Sequence, residues 1–97
     1  MIKPMKNIRI EEVGDINSDY PYLEVFLKNS THPFLEIAIS EGKELSFKFY
    51  ASKTDVQIDI EEWEFILSTA KSFLPRALKN EDDFLNFKEK LKEQSQV

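Results

Sequence analysis

The chain contains no cysteine and only one histidine, His32. Without thiols it can form no disulfide bond, thiolate zinc site or iron–sulfur cluster, and it has no cysteine nucleophile. His32 lies between Thr31 and Pro33 in a predicted hairpin loop, where a solvated histidine is the ordinary interpretation. The sequence therefore predicts no catalytic residue, no metal site and no cofactor.

Glycine is also scarce, and long apolar runs are missing. The two glycines, Gly14 and Gly42, do not form a glycine-rich loop that opens a helix and cradles phosphate. No apolar run approaches the roughly 18 residues that span a bilayer, and the basic first residues are not followed by the apolar segment of a signal peptide. We therefore expect a cytoplasmic protein that is not an enzyme and does not contact a membrane.

The charge of the chain is unevenly distributed. The formal net charge is −5, although Lys3, Lys6 and Arg9 make the first ten residues basic. A domain that binds a polyanion normally presents a basic face. Because the rest of this chain is acidic, we expect its partner to be a protein rather than a nucleic acid.

Alternation of apolar and polar residues predicts β-strands in the first two thirds of the chain. A length of 97 residues favours one domain over residues 1–97. The short polar breaks between the apolar runs require antiparallel neighbours, so the strands form a meander. The predicted strands cover residues 6–13, 21–29, 34–40, 44–51 and 54–60.

From Asp59 onward the apolar period changes from two residues to about 3.6, which is typical of an amphipathic helix. Asp59 and Glu62 have the spacing of a capping box, so a helix is predicted over 60–74 and is expected to pack on the sheet. Pro75 should end or kink it. A second helix is predicted over 80–94, giving an α+β fold of five strands followed by two helices.

The alternation also defines an outward face of the predicted sheet, which combines acidic and aromatic side chains. Aromatic residues on a face exposed to water need a reason, and an interface with a protein is one, because aromatic anchors inside a charged rim are typical of such interfaces. The candidate partner-binding residues are Tyr22, Glu24, Phe26, Glu36, Tyr50, Asp55 and Asp59.

Two further roles for the aromatic side chains of this face stay open. The second helix, or the loop over residues 14–21, would bury them as core by folding across the face. Alternatively, they would stack the bases of single-stranded nucleic acid. That interpretation uses Phe26, Phe34 and Tyr50 for stacking and Lys28 and Lys48 for phosphates.

The segment IDIEEWEFI, residues 58–66, follows a strand and opens a helix. There it resembles the positive cofactor four family, which implies a sheet closed by a helix and binding of single-stranded DNA, although this sheet is acidic where that family's is rich in lysine and arginine. Over its whole length the chain resembles, by general build, bacterial immunity proteins that neutralise contact-dependent or other polymorphic toxins. That resemblance implies a cognate toxin as the partner.

The leading hypothesis is a non-enzymatic inhibitor, an immunity protein that masks the basic, nuclease-like active site of a toxin. An acidic surface suits that role because it speeds association with a basic site and excludes the substrate. A single-stranded nucleic-acid-binding protein and an oligomeric accessory subunit are the alternatives. Both a monomer and a homodimer are compatible with the sequence.

Overall fold

The computed structural model describes residues 5–14 and 19–95, with side chains as far as residue 80. It has an α+β architecture, in which an antiparallel sheet of four strands precedes one helix. Each strand lies within one of the first four predicted ranges, whereas the extent of the domain stays a prediction. The elements are β1 (Ile8–Val13), β2 (Tyr22–Leu27), β3 (Leu35–Ile39), β4 (Leu45–Phe49) and α1 (Ile60–Ser95).

The strands follow the order β1-β2-β3-β4, so β1 and β4 form the two edges of the sheet. Alternate residues of the first three strands point to one face, where most of the apolar side chains are fully or almost fully buried. This inner face is apolar because the sequence alternates with a period of two. Its buried members are Ile8, Ile10, Leu23, Val25, Leu35 and Ile37.

Helix α1 packs on the inner face of the sheet through a stripe of buried residues spaced three or four apart. The stripe consists of Ile66, Ala70, Phe73 and Ala77. Near the start of the helix Asp59 contacts Lys6, just before β1, and later Arg76 donates to the Glu12 carboxylate near the end of β1. The helix therefore runs along β1, at one side of the sheet.

A reciprocal capping box forms the N-terminus of α1, as the sequence predicts. The Glu62 N–H donates to Asp59 Oδ1 at 2.8 Å, and the Asp59 N–H donates to Glu62 Oε1 at 3.0 Å. The second carboxylate oxygen of Glu62 accepts the N–H of Asn7 at 3.2 Å. Glu62 is only 5 % exposed and thereby joins the helix start to the start of β1.

The predicted fifth strand is not formed in the described residues. Residues 55–59 have no strand pairing. The chain instead crosses the end of the sheet. It starts at Tyr50, whose N–H donates to the Phe34 carbonyl, and reaches Asp59, which contacts Lys6. A fifth strand paired with β4 would lie at the edge opposite β1, far from the segment before β1 that Asp59 contacts. The contacts of Asp59 and Glu62 with the segment before β1 require the crossing.

The two predicted helices are one continuous helix, which passes through Pro75. Pro75 has no N–H to donate to the carbonyl of Lys71. Both residues have exposed side chains, so the unbonded carbonyl lies on the solvent side of the helix. Burial of Phe73 and Ala77 on either side continues the apolar stripe across the proline and keeps the helix intact.

Replacement of Pro75 by alanine tests this arrangement. The substitution restores the N–H and removes the ring from an exposed helical position, so the free energy of unfolding should rise by about 1–3 kcal/mol. Urea denaturation followed by circular dichroism measures it. Ser68→Ala, at another exposed position of the helix, serves as the control and should change stability by no more than about 0.5 kcal/mol. An unchanged stability of the Pro75→Ala protein would contradict a helix that continues through residue 75.

Replacement of Glu62 by alanine removes the acceptor for two backbone N–H groups and separates the helix start from Asn7. The free energy of unfolding should fall by about 1–3 kcal/mol. Glu64→Ala removes an exposed carboxylate from the same turn and should change stability by no more than about 0.5 kcal/mol. Equal effects of the two substitutions would show that Glu62 acts only through its charge.

Candidate functional site

The outward face of the sheet carries a row of glutamates, one on each of three neighbouring strands. Glu11 lies directly opposite Glu24, and Glu24 lies directly opposite Glu36. Lys48 on β4 lies opposite Glu36 and ends the row. Neighbouring strands are about 4.8 Å apart, so these carboxylates lie close together. We call Glu11, Glu24 and Glu36 the acidic row.

The middle glutamate of the acidic row differs from its neighbours in its contacts. Arg9 Nε lies 3.6 Å from Glu11 Oε1, and Lys48 Nζ lies 3.6 Å from Glu36 Oε2. Glu24 is half-buried and forms no salt bridge or side-chain hydrogen bond with any residue that the structure describes. Like charges directly opposite each other in a sheet are destabilising. Among the residues that the structure describes, no cation therefore forms an ion pair with the carboxylate at the centre of the row.

Tyr50 lies beside this row, at the end of β4. Its hydroxyl donates to Glu36 Oε1 at 2.9 Å, and Lys48 Nζ lies 5.1 Å from the centre of its ring. Burial, the hydrogen bond to Glu36 and the charges of Glu36 and Glu24 raise the pKa of Tyr50 to about 12. Tyr22 is close enough to contribute to the same shift. The acidic row is thus bordered by two tyrosines.

The two phenylalanines that were expected on this face are buried. Phe26 is only 5 % exposed, and the Arg9 guanidinium lies 4.3 Å from the centre of its ring. Phe34, one residue before β3, belongs to the core cluster, and its N–H donates to the carbonyl of Val25. Neither ring is available as an open stacking surface.

Two candidate residues lie away from the outward face. Asp59 caps α1 and forms an ion pair with Lys6. The hydrogen bond from Lys6, followed by that from the backbone of Glu62, holds the pKa of Asp59 below its usual range. Asp55 is exposed in the segment that crosses the end of the sheet, where it lines a cavity of about 370 Å³. The structure therefore brings together Tyr22, Glu24, Glu36 and Tyr50.

Two residues of this face, Glu11 and Arg9, were not among the sequence candidates. Both lie on β1, whose pairing with β2 sets Glu11 against Glu24 and Arg9 against Phe26. Their signal was present, because Ile8 and Ile10 alternate with them along the strand. The alternation alone does not show that β1 pairs with β2, and this pairing is what places Glu11 and Arg9 beside the candidate residues.

The negative charge of the acidic row attracts cationic groups. In the part of the chain that the structure describes, no group of three or more histidine, cysteine, aspartate or glutamate residues could hold a metal ion. The acidic row crosses three neighbouring strands of the sheet in a line. A line of this kind suits several basic side chains of a partner.

The pKa of Tyr50 provides a test of this geometry. Because the folded-state pKa, about 12, lies above the ordinary value of about 10, the neutral phenol contributes stability below pH 10. That contribution is lost as the pH rises from about 10 to about 12. Glu36→Gln should lower the pKa of Tyr50 toward 10 by removing the nearby charge.

Alkaline titration followed by the phenolate absorbance measures this shift, and Tyr50→Phe identifies the signal among the three tyrosines of the chain. Circular dichroism at each pH verifies that the protein is folded during the titration. Ionisation of Tyr50 at the ordinary tyrosine pKa would contradict its contact with Glu36.

Within the described residues, no helix is both long and apolar enough to cross a membrane. Comparison with models of protein families, with curated proteins and with solved structures gives no match for this chain.

Proposed function

We propose that this protein is a non-enzymatic inhibitor that binds a basic protein partner through the outward face of its sheet. In its most specific form, it is an immunity protein that masks the nuclease-like active site of a cognate toxin. The observation that supports this proposal is Glu24, half-buried and without an ion-pair partner among the described residues, between Glu11 and Glu36.

The energetics of the acidic row favour a cationic ligand. Each glutamate in the free protein faces another of the same sign, which raises the energy of the folded state. A lysine or arginine placed over Glu24 by a partner would relieve that repulsion and form charge-assisted hydrogen bonds. The free energy released on binding then includes the repulsion that the free protein stores.

The surroundings of the acidic row fit a protein interface. Tyr22 and Tyr50 are partly exposed beside it, and tyrosine is enriched among the residues that dominate binding energy. An enzyme that acts on nucleic acid needs a basic active site to bind phosphates. An acidic face directed at that site would speed association and compete with the phosphates.

Binding of single-stranded nucleic acid is the alternative function. Tyr50 and Lys48 supply one stacking ring and one cation on this face. Phosphates approaching them would also meet the acidic row, however, and Phe26 is buried beneath Arg9. A fluorescently labelled oligonucleotide titrated at low salt tests this alternative directly, since affinity should then fall steeply as salt is added.

Affinity purification with the tagged full chain as bait, followed by mass spectrometry, is the experiment that tests the proposal. We expect a basic protein to co-purify in a stoichiometric amount and to lose its activity when the purified chain is added. Recovery of no stoichiometric partner, together with failure to protect cells against any toxin encoded beside it, would overturn the proposal.

Replacement of Glu24 by glutamine separates binding from stability. The free energy of unfolding should rise by about 0.2–1 kcal/mol because the repulsion from Glu11 and Glu36 is removed. The dissociation constant for the partner should increase about tenfold or more, since the variant leaves a partner cation without its counter-charge. Chemical denaturation and isothermal titration calorimetry measure the two effects.

Glu41→Gln, at an exposed position in the turn between β3 and β4, is the matched control. It makes the same change of charge away from the acidic row, so it should leave both the stability and the affinity nearly unchanged. Equal losses of affinity in the two variants would indicate that only net charge matters. That result would contradict a binding site centred on Glu24.

A further inference from the structure

The two edges of the sheet differ in their ability to pair with another strand. Edge strands are commonly protected by charged side chains. The edge strand β1 carries Arg9, Glu11 and Glu12 among its six residues, and Arg76 of the helix contacts its end. The edge strand β4 carries only Lys48 among five residues. Of the two edges, β4 is the less protected.

The hydrogen bonds of β4 show which backbone groups face outward. Tyr50 donates its N–H to Phe34, and Glu44 accepts the N–H of Ser40, so the even-numbered residues of this segment bond to β3. In an antiparallel pair the intervening residues direct their N–H and C=O groups to the other side. The open edge is therefore formed by Leu45, Phe47 and Phe49, and no described strand pairs with it.

The side chains along this edge are apolar and incompletely covered. Phe47 is 38 % exposed and Phe49 is 62 % exposed, although both belong to the face on which the core forms. Val56 is 38 % exposed and lines the same cavity as Phe49. Because α1 runs along β1, it does not extend over these side chains. We call Phe47, Phe49 and Val56 the apolar strip.

We infer that two copies of this chain associate through their β4 edges into a continuous antiparallel sheet of eight strands. The twofold axis passes between the Phe47 residues of the two copies. This register sets Leu45 of each copy opposite Phe49 of the other, so the backbone groups of the open edge bond across the axis. It also brings the two apolar strips together on the inner face.

The charges of β4 and the number of residues that can pair together select this register. On the outward face it sets Lys48 of each copy opposite Ser46 of the other, so no like charges meet. A shift of two residues in one direction would set Lys48 against Lys48, which is unfavourable. A shift in the other direction would set Lys48 opposite Glu44 but Phe49 opposite Lys43 in the turn. It would leave only three residues of each β4 strand paired with the other.

Substitutions of Ser46 test the inferred dimer, because in its own chain Ser46 is exposed and lies opposite Ala38. Ser46→Lys places two like-charge pairs across the axis and should raise the dissociation constant of the dimer roughly 2- to 30-fold. Ser46→Glu places two opposite-charge pairs there and should lower it by a similar factor. Sedimentation equilibrium over a range of concentrations measures both, with the melting temperature of each variant as the check on folding.

Ser72→Lys is the matched control, since it adds the same charge at an exposed position of α1. It should leave the dissociation constant unchanged. A wild-type protein that stays monomeric up to about 0.5 mM, well above the micromolar range of weak dimers, would overturn the inference. A dimer that responds alike to Ser46→Lys and Ser46→Glu would overturn it as well, because it would be formed by another surface.

Hydrogen exchange gives an independent, residue-specific readout on the wild-type chain. The amides of Leu45, Phe47 and Phe49 should exchange more slowly as protein concentration rises, because they become hydrogen-bonded only in the dimer. Those of Ser46 and Lys48 already bond to β3 and should respond much less. Protection of the first three amides that is independent of concentration, in a protein shown to dimerise, would contradict pairing through β4.

Discussion

The position of helix α1 depends on the buried carboxylate of Glu62. One of its oxygens closes the capping box with Asp59, and the other accepts the backbone N–H of Asn7. A carboxylate that is 5 % exposed is stable only while such hydrogen bonds compensate for its burial. The start of the helix is therefore held at the start of β1, and the chain leaving β4 must cross the whole end of the sheet to reach it.

The attachment of the helix start to β1 also explains why the two edges of the sheet are covered unequally. The helix begins beside Asn7 and contacts Glu12 through Arg76, so it lies along β1, and its buried side chains form one core with those of the first three strands. At about 1.5 Å per residue, the 36 residues of α1 extend about 54 Å, far beyond strands of five or six residues. The extra length of the helix runs along β1 and does not cover the opposite edge of the sheet. Phe47 and Phe49 at that edge therefore stay exposed.

Local patterns predicted the elements of this fold better than their arrangement. Period-two alternation located the four strands, and the spacing of Asp59 and Glu62 located the capping box, because both signals depend on a few neighbouring residues. The alternation in residues 54–60 fits a strand equally well, but the contacts of Asp59 with Lys6 and of Glu62 with Asn7 carry this segment across the end of the sheet instead. The tendency of Pro75 to end a helix is likewise outweighed by contacts elsewhere, namely the burial of residues on both sides of it.

The candidate site shows the same limit of local reasoning. The alternation of residues along the strands placed Tyr22, Glu24, Glu36 and Tyr50 on one face, and they lie near one another because the strands that carry or precede them form as predicted. The position of Asp55 was inferred from a strand that does not form. The opposition of glutamates across β1, β2 and β3 could not be read from one strand, because register is a property of pairs.

The acidic row and the apolar strip lie on opposite faces of the sheet, so binding at one does not obstruct the other. In a sheet extended through β4, the twofold axis is perpendicular to the sheet, and both acidic rows face the same side. Five strand spacings of about 4.8 Å separate one Glu24 from the other, or about 24 Å. Such a dimer would offer two equivalent acidic surfaces to a partner, and a partner with two basic sites at that separation would bind more tightly by the effective concentration of the second site.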